Sequence, residues 1–185
     1  MRARRVVTGH DPAGTAVVVS DGPAPRSHEY RHIPGLVEAL VWATDGPVET
    51  GRADRPRQSD PTATASSYVP RPGGTRLIWL QIPPDAVFQG ATLDGEAARQ
   101  EQLIASPGLA ERFEPDSPGM HATPTTDYAI VVSGTLWLEL DGGVETRLDP
   151  GDVVIQRSTR HAWRNHGDTP AVLVVVLVGN GASAS

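Results

Sequence analysis

Short runs of alternating apolar and polar residues dominate this chain. RRVVTGH (4–10) and TAVVVS (15–20) flank the turn DPAG (11–14), and branched residues either side of a Pro/Gly loop predict a β-hairpin. LVEALVWAT (36–44) suits a short helix or a strand; Val41, Trp42 and Thr44, leading into the turn DGP, favour a strand for its second half. TRLIWLQI (75–82) predicts a strand stopped by Pro83 and Pro84. One segment has helical character, DGEAARQEQLIA (94–105), where Asp94 can cap, Glu96 lies in the first turn, and Ala and Leu support the interior. SPG (106–108) breaks it, and GLAERF (108–113) makes a further turn. After Gly119 strands follow closely at 125–132, 135–140, 144–148, 152–156, 161–165 and 170–178, a spacing that predicts an antiparallel sandwich or barrel.

The pattern lapses between residues 47 and 72. That stretch is polar and Pro-rich with almost no apolar anchors, so it predicts a long surface loop able to fold over a pocket mouth. No internal repeat is visible, and the chain reads as one unit: N-terminal strands, loop and short helix (1–118) packed on a core at 119–178. Its 185 residues can bury a core, and 19 Gly with 17 Pro favour turns over long helices. An all-β architecture is the expectation.

Composition then narrows the chemistry. Cysteine is absent, which removes disulfides, thiolate nucleophiles and Cys-based metal sites. A net charge of −6 and a pI near 5.4 argue against a nucleic-acid partner. The basic start MRARR is followed by no long apolar run, and AVLVVVLV (171–178), the most hydrophobic stretch, suits a buried strand rather than a membrane span. A soluble cytoplasmic protein without a membrane partner is expected.

The candidate chemistry lies in two segments, GMHATPTTDYAIVVSG (119–134) and PGDVVIQRSTRHAWRN (150–165). His121, Asp127 and His161 can supply a divalent metal with three ligands, or can divide acid and base roles around an organic substrate. Strand alternation puts His121, Thr123, Thr125, Asp127, Ala129 and Val131 on one face. With Ser133-Gly134 as a two-residue hairpin turn, Val131 would face Leu136, Ala129 would face Leu138, and Asp127 would face Leu140. That face would run from a polar mouth to an apolar floor, the gradient a small-molecule pocket needs. Thr123 and Thr125 are then hydrogen-bond partners for a substrate, and Leu138 part of the floor. Trp163 shares parity with His161, as pocket wall or core. Arg157, Arg160 and Arg164 fit a solvated rim, and His28 with His32 a surface pair.

These segments resemble the two signature motifs of the cupin superfamily. Places held in the first motif by His, His, Glu and Gly are occupied by His121, Thr123, Asp127 and Gly134; those held in the second by Gly, Pro, Gly, His and Asn are occupied by Gly151, Gln156, Ser158, His161 and Asn165, with one spacer residue fewer than the commonest form. The resemblance covers about residues 119–178 and implies a double-stranded β-helix (jelly-roll) barrel, with extra N-terminal strands, often homodimeric, with a metal site inside. His121, Asp127 and His161 fall on the superfamily's ligand positions, implying a divalent metal (Fe, Zn, Mn or Ni). Thr123 departs from a histidine, and Asp127 is shorter than Glu by about 1.5 Å, one carbon–carbon bond, so a metal-free site is the other expectation. The resemblance implies a lyase- or isomerase-like enzyme (dehydratase, decarboxylase or cyclase) acting on an oxygenated metabolite. The alternatives are an Fe(II)-dependent dioxygenase and a non-catalytic ligand-binding cupin.

Overall fold

The computed structural model describes residues 3–46, 60–90 and 93–181. Eleven strands are present among them: β1 (Arg4–His10), β2 (Ala16–Pro23), β3 (Arg26–Glu29), β4 (Val37–Thr44), β5 (Thr75–Ile82), β6 (Thr125–Ser133), β7 (Leu136–Glu139), β8 (Glu145–Leu148), β9 (Val153–Arg157), β10 (Ala162–Arg164) and β11 (Ala171–Gly179). The helix α1 (Gly95–Ala105) carries the expected cap, Asp94 accepting from the Ala97 N–H, and a 3-10 turn follows at Ala110–Arg112. The whole of β4 is extended, including the half whose pattern also suited a helix. No described helix is long and apolar enough to cross a membrane.

The strands form a six-stranded sheet ordered β3-β4-β5-β11-β6-β9, a three-stranded sheet β10-β7-β8, and a separate β1-β2 ribbon. Valine-rich β11 is hydrogen-bonded on both edges, to β5 and β6, which is why its sequence reads as an almost unbroken apolar run. Between the six- and three-stranded sheets lie Val131, Leu136, Leu138, Leu148 and Leu173, all buried. Each such side chain contributes about 1.5–3 kcal/mol by leaving water. The result is an all-β double-stranded β-helix with one short helix: the strand spacing predicts a sandwich or barrel, and the resemblance implies the β-helix.

The expected β6–β7 hairpin does not form. β6 pairs with β9 and β11, while β7 pairs with β8 and β10 in the opposite sheet. Leu136 and Leu138 therefore meet Val131 and Ala129 across the core rather than side by side, and Asp127 lies opposite Gln156 and Leu177, not Leu140. Alternation alone cannot distinguish these arrangements, because both put the same residues inward. Gly134 makes the crossing: its φ is +72°, and a Cβ there would lie 2.8 Å from the Ala171 Cα.

The 47–72 stretch also differs from expectation. Residues 47–59 lie outside the described residues, but 60–72 are no surface loop: Thr62, Ala65 and Tyr68 are buried, the last two beside Leu40, Ile78 and Leu177. Its anchors are polar or small, so hydropathy hides them. Thr62 Oγ1 accepts from the Ala43 N–H at 3.2 Å. Buried Arg76 donates to the carbonyls of Ser67 and Thr44, each at 2.7 Å, and to Asp45 at 2.6 Å.

Candidate functional site

Strand pairing sets the inward face. Glu38 and Leu40 on β4, Ile78, Leu80 and Ile82 on β5, Val175 and Leu177 on β11, Asp127 on β6 and Gln156 on β9 follow one another through direct cross-strand partners or two-residue steps. All of these except Leu40 line a cavity of about 470 Å³ whose remaining wall includes α1 and the segment before His121. Its size and apolar lining suit a small organic molecule.

His121 and His161 enter this wall together. Each backbone N–H donates to the other residue's carbonyl, at 3.0 and 2.9 Å, and the ring centroids lie 4.4 Å apart. Both tautomers follow from their neighbours. Nδ1 of His121 donates to the Gly119 carbonyl at 3.0 Å, and Nδ1 of His161 to the Thr159 carbonyl at 2.9 Å, so each Nε2 keeps its lone pair. Burial, aided by His161, lowers the His121 pKa to about 4, and burial lowers that of His161. Both are neutral imidazoles at neutral pH.

Asp127 is 5% exposed and its Oδ1 has no hydrogen-bond partner. Burial pushes its pKa up to about 6, against the opposing pull of the Thr125 and Thr123 hydroxyls. Directly across the strand pair, Gln156 is buried with Nε2 unpartnered, its Oε1 accepting the Thr159 hydroxyl at 2.5 Å. An acceptor and a donor are thus buried without partners on cavity-lining residues of adjacent strands, a vacancy in hydrogen bonding that folded proteins rarely leave without use.

The other expected site residues divide. Thr123 and Trp163 line the cavity, with the Trp163 ring edge-on to His161 at 5.6 Å. Thr125 is fully buried behind Thr123, whose hydroxyl it meets at 2.6 Å, and does not line the cavity; nor does Leu138, which lies in the core between the sheets. Arg160 pairs with Glu114 and Asp141, and Arg164 with Glu139, as a charged rim. His28 is held by Glu101. Asn165 is a turn clamp, donating to the carbonyls of Ile82 and Thr169.

Sequence reasoning missed the roles of Gln156, Glu38 and Tyr30. Gln156 stood at a motif place but its pairing with Asp127 had no signal in the sequence; Glu38, a charged residue inside an apolar strand, was the available signal.

A divalent metal of the usual kind asks for three donors around one point. The two bare Nε2 atoms meet part of that demand, and their Nδ1 contacts are those of ligating histidines. Among the described residues, however, no group of three or more His, Asp or Glu is gathered closely enough to hold an ion. Thr123, standing at the remaining motif place, turns its hydroxyl to Thr125. The residues present do not fit a three-ligand centre.

Residues 110–177 match the family model described as a cupin domain. Over that segment, a little over a third of its length, the chain is similar to the cupin superfamily. Its similar relatives include "Oryzines biosynthesis cluster protein J" of Aspergillus oryzae, 44% identical over 52 residues, covering 28% of this chain and 29% of that one. "Cupin-domain-containing oxidoreductase fogC" of Aspergillus ruber is 34% identical over 88 residues, 46% of this chain and 39% of the relative. "Cupin-domain-containing oxidoreductase srdD" of Neurospora crassa is 39% identical over 66 residues, 34% and 33% of the two chains. The chain thus spans about a third of the length of the curated relatives it matches.

Proposed function

We propose that this chain is a small-molecule enzyme of lyase or isomerase type, moving a proton on an oxygenated, mainly apolar metabolite held in the barrel cavity. The observation that carries this reading is that Asp127 Oδ1 and Gln156 Nε2 are buried without hydrogen-bond partners on cavity-lining residues paired across adjacent strands. Gln156 Nε2–H donates to a substrate carbonyl oxygen, and the Asp127 carboxylate accepts a proton from the adjacent carbon. The electron pair of that C–H bond passes to the carbonyl as an enolate, which the Gln156 donor stabilises. Return of the proton to another carbon gives an isomer; departure of a β-hydroxyl as water gives a dehydration. Neutral His121 and His161 present bare Nε2 atoms as acceptors that orient a substrate hydroxyl. The relatives' biosynthesis-cluster names support a small-molecule substrate.

The test is exchange of the α-protons of decan-2-one in deuterated water, followed by NMR. Wild-type protein accelerates exchange and Asp127→Asn does not; equal rates for the two would sink the proton-transfer assignment. A second reading, an oxidoreductase, is favoured by the printed descriptions of two relatives. Iron near one per chain together with oxygen consumption would select it.

A further inference from the structure

The far wall of the same cavity holds a second polar group. Glu38 sits on β4, 4% exposed, in a strand otherwise apolar on that face, and it lines the cavity together with Tyr30 and Ser106. Tyr30 donates its hydroxyl to Glu38 Oε2 at 2.8 Å, and Ser106 Oγ lies 3.4 Å from the same hydroxyl. No Lys, Arg or His forms an ion pair with Glu38 among the described residues; Arg26 lies against the Tyr68 ring and His28 pairs with Glu101. Burial disfavours the charged form of such a carboxyl, and the neutral form carries both an O–H donor and a carbonyl acceptor. Burial pushes the Glu38 carboxyl above its ordinary value, against the opposing pull of the Tyr30 and Ser106 hydroxyls and of His28 and Arg26.

The cavity therefore has two polar ends separated by aliphatic wall. Between β4 and β6 lie β5 and β11, so three strand spacings, about 14 Å across the curved sheet, separate the two carboxyl-bearing strands. The wall between them is Ile78, Leu80, Val175 and Leu177. A single hydrophobic ligand head would need no polar group there, and a purely structural carboxyl would more naturally sit where water can reach it.

We propose that Glu38 and Tyr30 form a second recognition point, selecting an elongated, mainly apolar substrate that carries a hydroxyl or carbonyl oxygen at the end remote from Asp127. This rests on the proposed function for the location of the reacting end, while its own test is one of binding. A hydroxyl at that end donates to the Glu38 carbonyl oxygen or accepts from its O–H, and the Tyr30–Glu38 bond fixes the carboxyl's orientation. Glu38 and Tyr30 act as specificity-determining residues, away from the reacting atoms.

Titration calorimetry compares decan-2-one with 10-hydroxydecan-2-one and its twelve-carbon homologue on wild type, Glu38→Leu, Glu38→Gln and Tyr30→Phe. On wild type one of the hydroxyketones binds about tenfold more tightly than the plain ketone, the scale of one buried hydrogen bond. Glu38→Leu removes that preference, Glu38→Gln keeps it because the amide is also donor and acceptor, and Tyr30→Phe weakens it. Absence of any preference on wild type overturns the proposal, as does a preference unchanged in both Glu38→Leu and Tyr30→Phe. Should Glu38→Leu fail to fold, Tyr30→Phe against Glu38→Gln decides alone: equal preference in the two overturns it. A normal hydroxyl preference with Asp127-independent exchange would instead defeat the proton-transfer reading and leave this one standing.

Discussion

At the motif end of the cavity, Asp127 Oδ1 and Gln156 Nε2 are buried and unpartnered, whereas at the N-terminal end the Glu38 carboxyl is held by Tyr30. The first end keeps hydrogen-bonding capacity in reserve at a cost in stability, because a buried polar atom without a partner forfeits its hydration. The second satisfies its carboxyl in part and so destabilises the fold less. Groups that must change partners during a reaction cannot be satisfied beforehand; groups that only recognise can be preorganised.

The largest expected effect separates those roles directly. Asp127→Asn should lower turnover by about 10²–10⁴-fold, the usual worth of a positioned acid or base. The same substitution should stabilise the fold near neutral pH by about 1–3 kcal/mol, since it removes a buried carboxylate whose charge is unpaired. Steady-state rates with urea melts check both, and a variant that is both inactive and less stable would contradict the contrast between the two ends.

The pH dependence sharpens the point. Asp127 has its folded pKa raised from 3.8 to about 6, so between those values the folded state holds more protons than the unfolded one and stability falls as pH rises. His121 is depressed from 6.5 to about 4, so the unfolded state binds more protons in that window and stability rises with pH. The contributions of these two groups oppose each other and largely cancel between about pH 4 and 6. Asp127→Asn removes only the carboxylate's share, so chemical denaturation should show its stability gaining on that of wild type by about 1–3 kcal/mol as pH rises across this range. Turnover by wild type should rise through about pH 6 as Asp127 ionises.

How much of this was legible in the sequence differs between the two ends. Motif spacing pointed to His121, Thr123, Asp127, His161 and Trp163, all of which line the one cavity, and strand alternation put Thr125, Asp127, Ala129 and Val131 on the buried face. Pairing partners were not legible, because a strand's pattern states which face is inward and not which strand lies beside it; hence the misplaced β7 and the unanticipated Asp127–Gln156 pair. The N-terminal wall was hidden for another reason. Glu38 and Tyr30 are joined by chain-distant packing with Ser106, and the anchors at 60–72 are hydroxyls, an alanine and a tyrosine, which hydropathy scores as loop.

A smaller effect is expected where α1 is tied to the N-terminal wall. Glu101 accepts from the backbone N–H groups of Arg31 and His32, with distances of 2.9–3.0 Å, and from His28 Nε2 at 2.8 Å. Burial tends to raise its pKa, yet those donors outweigh it and hold the carboxyl below its ordinary value. Glu101→Ala hands two exposed backbone donors to water and should cost about 0.5–1.5 kcal/mol. Because α1 contributes Ala98 and Gln102 to the cavity wall, the loss should appear as faster hydrogen exchange at Arg31 and His32 and weaker binding of hydroxyketones. The motif end is built on strands that Glu101 does not touch, so α-proton exchange per bound ketone should change by less than about twofold, within the error of additivity for distant sites. Equal losses at both ends would mean that the cavity is one cooperative unit and that the division between reacting and recognising ends is not built into the fold.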